Sequence, residues 1–133
     1  MIRLTGVQLD LGGLAGGHPL WVDASLGVPV SLLAVATELA TERGPLAICR
    51  EGRLTWAGVP FPLGHNFGRT VRGTRLVDPD GGVWHGTVIE VAADEQGASL
   101  AHTLGHEFAH CHGSTDELEA ERLGDLLARA SRR

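Results

Sequence analysis

The chain has 133 residues, 43% of them hydrophobic, and a mean hydropathy near zero, which suits one soluble globular domain and leaves no run of membrane-spanning length. Its formal charge is −5, every basic residue besides His is Arg, and the short cluster Arg69, Arg72, Arg75 is outweighed by acids elsewhere, so nucleic acid is disfavoured as the main partner. Two cysteines, Cys49 and Cys111, make no disulfide framework, and no apolar stretch of signal-peptide length precedes Asp10, so a cytoplasmic location is expected.

Residues 2–11 alternate loosely between apolar and polar, and a Gly-rich stretch (12–17) leads to His18-Pro-Leu-Trp-Val-Asp23. This predicts an N-terminal strand pair joined by a flexible loop. The loop lacks the Lys-Ser/Thr ending of a phosphate-binding loop. Residues 29–43 carry an apolar stripe at helical spacing, and Gly44-Pro45 supplies a stop. The segments 46–50 and 53–57, around Glu51-Gly52, predict a hairpin. An irregular loop is expected over 58–68, a strand over 70–77, a turn at Asp78-Pro-Asp-Gly-Gly82 and a strand over 83–91.

The last third is helical, and its chemistry is concentrated in His106-Glu107-Phe108-Ala109-His110, the pattern H-E-x-x-H. Helical residues four apart share a face, so both imidazoles can bind one Zn²⁺. Glu107 then projects beside His106 and can act as general base on a metal-activated water. Leu100, Leu104, Phe108 and Cys111 recur on the side away from the histidines, so the helix buries one face and offers His102, His106 and His110 on the other. This helix is expected to end at Gly113, and a second follows at once, with Ser114 and Glu117 in a capping box.

A catalytic zinc site takes three protein ligands and keeps one open position. Two residues compete for the third place. On a helical wheel Glu119 is centred on the apolar face with Leu123, Leu126 and Ala130 within about 40°. A lone carboxylate there is costly unless paired or liganded. Alternatively, residues 106–116 match H-E-x-x-H-x-x-G-x-x-D, a metzincin-like variant with Asp116 as ligand. That variant also needs a methionine turn downstream, and the only methionine here is Met1.

From about Gly86 to Leu127 the chain resembles the ImmA/IrrE-like zinc peptidases, a gluzincin-type group. The resemblance lies in the strand 86–92, the helix 100–110 with its H-E-x-x-H, and Glu117-Leu-Glu-Ala-Glu-Arg-Leu-Gly124. It implies an α+β, zincin-like domain spanning 1–133: N-terminal strands and a helix, an antiparallel or mixed sheet, an active-site helix and a glutamate helix. It also implies His106, His110 and Glu119 as zinc ligands and Glu107 as catalytic base. A peptide or protein substrate would add along strand 83–91 as a sheet edge, and limited proteolysis of a regulatory protein would be the activity.

With no Tyr in the chain, oxyanion stabilisation besides the metal falls to His or Arg. His85 and His112 are the candidates chosen, with His102 and His65 behind them. Cys111 and the tryptophans Trp56 and Trp84 read as core residues. A different class of answer is a non-catalytic zinc-binding interaction module. Such a module needs the ligands but not the carboxylate of Glu107.

Overall fold

A computed structural model describes residues 2–5, 7–15, 18–61, 63, 67–111, 118 and 122. Its frame is set by Leu46–Arg50, a strand whose first four residues are all buried. A continuously apolar strand needs cover on both faces and a partner on each edge. Leu46–Arg50 (β4) has both. It pairs in parallel with β3 (His18–Val22) on one side and with β8 (Val83–Val91) on the other. Parallel neighbours need a long crossover. The helix α1 (Val30–Arg43), which starts after Pro29 and stops at Gly44, carries the chain from β3 to β4.

The remaining strands extend this frame to an eight-stranded mixed sheet. β2 (Gln8–Ala15) flanks β3, and β7 (Gly68–Val77) lies antiparallel to β8. Beyond β7 stand β1 (Ile2–Leu4), β5 (Leu54–Trp56) and β6 (Val59–Pro60), so the order is β2-β3-β4-β8-β7-β1-β5-β6. The fold is thus mixed α+β. No helix among the described residues is long and apolar enough to cross a membrane.

Alternation along the strands divides the core into two layers. Leu20, Leu46, Ile48, Ile89 and Val91 face one way. They meet Leu32, Ala36, Leu39 and Ala40 of α1 and Leu100, Leu104, Phe108 and Cys111 of α2 (Gly97–Cys111). Trp21, Ala47, Cys49, Leu76 and Val88 face the other way and are covered by Leu4, Val7 and Leu54. Both cysteines are buried and free.

Four expectations need correction. The segment 58–68 is not an irregular loop throughout, because Val59–Pro60 forms β6 and Gly68 opens β7. The Gly-rich stretch is not a loop throughout, because residues 12–15 belong to β2. The segments around Glu51-Gly52 form no hairpin. β4 pairs with β3 and β8, while β5 pairs with β1 and β6, so the turn sends the chain to the far side of the sheet. Its apolar continuity already marks β4 as an interior strand, which a hairpin edge is not. The strand 83–91 is likewise no sheet edge, since β4 and β7 flank it.

That turn is tied down by Asp23, 1% exposed. Its carboxylate accepts from the Nε of Arg53 at 2.9 Å, from Ser25 Oγ at 2.7 Å, and from the backbone N–H of Ser25 at 3.0 Å and of Arg50 at 3.2 Å. Burial pushes its pKa up, but the hydrogen bonds from Arg53, Ser25 and Arg50 outweigh it and hold the carboxyl below its ordinary value. Stability from Asp23 is therefore present above the unfolded-state pKa of about 3.9 and is lost as pH falls through the lower folded value. Asp23→Asn is expected to lower Tm at neutral pH and to flatten the fall of Tm below about pH 4. A pH series of thermal melts checks both.

Candidate metal centre

α2 lies across the first residues of β7, and the two elements come unusually close. A Cβ on Gly68 would stand 2.7 Å from Thr103 Cγ2 and 3.2 Å from the carbonyl oxygen of Glu90. Only glycine allows this approach, and it brings Glu107 over the start of β7. The N-terminal end of α2 is fixed by Glu95, which is buried and accepts hydrogen bonds from the hydroxyls of Ser99 and, at 3.4 Å, Thr103. Its carbonyl oxygen and that of Ala93 accept from Arg50 Nη1 at 3.0 and 2.9 Å.

The helix faces fall as the spacing predicts. Leu100, Leu104, Phe108 and Cys111 are buried in the core, and His102, His106 and His110 are half-buried on the other side. The Nε2 atoms of His106 and His110 stand 3.1 Å apart, with ring centroids at 4.8 Å and the planes at 68°. Two nitrogens each about 2.0–2.1 Å from one tetrahedral ion would be about 3.3 Å apart. The observed separation is close to that. Glu107 joins them: the ligand atoms of His106, Glu107 and His110 all lie within 4.8 Å of one another, a group able to hold a metal ion.

Glu107 is buried, with 5% of the residue exposed. The hydroxyl of Thr70 stands 3.1 Å from its Oε2 and 3.3 Å from its backbone carbonyl, and the Cys111 side chain is a further hydrogen-bond partner of that hydroxyl. Thr70 is a residue that sequence reading missed. Its only signal was its place at the start of an alternating strand. Cys111, next to His110, is pushed up to about 12 by burial and then by the Glu107 charge, so it stays a thiol at neutral pH. That agrees with its core position.

The other expected site residues fare differently. His85 is exposed on β8 opposite Arg75, four residues from Ile89, which pairs with Thr70. Four strand residues are about 13 Å, and His85 takes no part in the His106–Glu107–His110 group. Glu119, Asp116, His112 and His65 lie outside the described residues, as does the capping box at Ser114 and Glu117. Leu118 and Arg122, one turn apart, are helical and exposed. Trp84 packs against the core layer away from the helices, as expected, whereas Trp56 is 55% exposed and is not a core residue.

Among the described residues, the open edge beside the cluster belongs to β7. Its parallel partner β1 reaches only Leu76 and Val77, so Gly68–Arg75 has no ladder partner on that side among the described residues. Comparison with known proteins finds no matching family model, no matching curated protein and no matching solved structure.

Proposed function

We propose that this chain is a zinc-dependent peptidase with a zincin-like fold, in which His106, His110 and Glu119 hold the metal and Glu107 is the general base. The observation that carries the reading is the pair of imidazole nitrogens 3.1 Å apart beside a buried carboxylate. A structural site needs the first feature and has no use for the second.

Zinc held by these residues would supply Lewis acidity for a water and for the scissile carbonyl. Glu107 takes the proton of the attacking water and passes it to the leaving amine. Thr70 keeps the carboxylate pointed at that water. The substrate adds as a further strand to the free ladder of β7 at Gly68–Arg75 rather than to β8, which puts its backbone alongside Glu107. The resemblance of the last third to ImmA/IrrE-like peptidases supports limited proteolysis of a regulatory protein in the cytoplasm.

Metal analysis of the purified protein tests the proposal. One zinc per chain is expected, lost on His106→Ala. Absence of zinc from the wild type after loading would refute it. Glu119→Ala is expected to lose the metal and Asp116→Ala to keep it; the reverse would assign the third place to Asp116.

Thr70 is a positioning residue in this scheme. Thr70→Val deletes a hydrogen bond to a charged group, so kcat is expected to drop about tenfold with KM nearly unchanged. Thr70→Ser should restore it. An equal rise in KM, or no rescue by serine, would assign Thr70 to packing alone.

A further inference from the structure

A peptide laid along the free edge of β7 meets a charge pattern that a backbone irregularity creates. Regular alternation would put Arg72 and Arg75 on opposite faces of the sheet. The register of β7 against β8 slips by one residue between them: Val71 faces Val88, whereas Thr74 faces Gly86. The extra residue is a bulge, and Gly73 absorbs it with a left-handed φ of 66°. Alternation is reset. Arg72, two residues past Thr70, is on the helix side. Arg75, opposite His85, is on that side too.

Both arginines are exposed, and neither makes an ion pair among the described residues. The third arginine of the cluster is already engaged, since Arg69 donates through Nε to the buried Glu90 at 3.0 Å on the opposite face. In a chain of formal charge −5, this edge carries the opposite sign.

Resting on the peptidase reading, we propose that the edge selects acidic peptides. The preferred substrate is an extended segment with carboxylate side chains on the helix side of the sheet, two and four residues from the position opposite Thr70. Arg72 and Arg75 are the specificity-determining residues, and both acidic positions fall on one side of the bond cleaved.

Binding tests this without requiring cleavage. Zinc-loaded Glu107→Gln protein is titrated, with fluorescence anisotropy as readout, against a labelled ten-residue Val/Thr/Ala peptide carrying two glutamates at i and i+2. The same peptide with glutamines is the control. The glutamate peptide should bind about five- to tenfold more tightly at low salt, with the margin shrinking as salt rises. The margin should survive R72K/R75K, vanish in R72Q/R75Q and reverse in favour of a lysine peptide in R72E/R75E. Equal binding of the two peptides, binding of neither, or a preference that survives R72E/R75E would overturn the proposal. So would tighter binding of a ten-nucleotide single-stranded thymidine oligomer that is lost in the same variant. If the preference holds and the wild-type zinc protein cleaves neither peptide, the peptidase reading fails while the acidic-peptide site stands.

Discussion

Glu107→Gln is expected to keep one zinc per chain and to reduce peptide hydrolysis by about 10²–10⁴-fold, the range a positioned general base contributes. The two halves of this result have different causes. Glutamine has the shape of glutamate, and its amide oxygen can still accept from the Thr70 hydroxyl, which now stands 3.1 Å from Oε2. The approach of α2 to β7 therefore survives, and with it the spacing of His106 and His110. What is lost is the ability to accept a proton at neutral pH. His106→Ala should do the opposite, removing the metal first and the activity with it. Partner binding unchanged in both variants, with no cleavage by either or by the wild type, would mark the chain as an interaction module. Zinc stoichiometry and kcat/KM on one peptide, measured on the three proteins, decide the matter.

Phe108→Ala is expected to cost about 3–5 kcal/mol, the range for emptying a buried phenylalanine site. Phe108 sits between the two histidines in sequence, yet it is fully buried on the far side of α2 in the layer shared with α1. Leu100, Leu104 and Cys111 line the same face and cannot refill the space without moving the helix. Against a total of about 5–15 kcal/mol, Tm should fall by about 10–20 °C at this chain length. The metal site should weaken too, because the same helix carries both imidazoles. Thermal melts with and without zinc check this, and a fall of under about 3 °C would mean that α2 is not anchored through Phe108.

Much of the centre was legible because the helix writes its geometry into the sequence. A spacing of four puts His106 and His110 on one face, and the leucines and Phe108 at helical intervals name the other. The sheet was harder. Strand existence can be read from β-rich runs, as at 46–50, 70–77 and 83–91, but strand order depends on which runs meet in space. β4 is apolar over its four buried residues, and β8 is buried from Val88 to Val91 with only Glu90, paired with Arg69, breaking the apolar run; that continuity reflects burial on both faces with partners on both sides. Reading 83–91 as an edge mistook an interior strand for an open one. The hairpin at Glu51-Gly52 failed for the same reason: a turn fixes a change of direction, not the neighbour. Thr70 and Glu95 were invisible because each acts through a contact distant in sequence or across a helix turn, with no periodic signal. The bulge at Gly73 was equally hidden, although it decides which face Arg75 occupies.

Zinc K-edge X-ray absorption of the zinc-loaded protein addresses the central claim most directly, since it counts and types the atoms around the ion. Two imidazole nitrogens and two oxygens, one from a carboxylate and one from water, at about 2.0–2.2 Å are predicted. In His106→Ala that signature should disappear. A sulfur shell at about 2.3 Å, or a full set of four protein ligands with no water, would contradict a catalytic centre built on His106, His110 and Glu107.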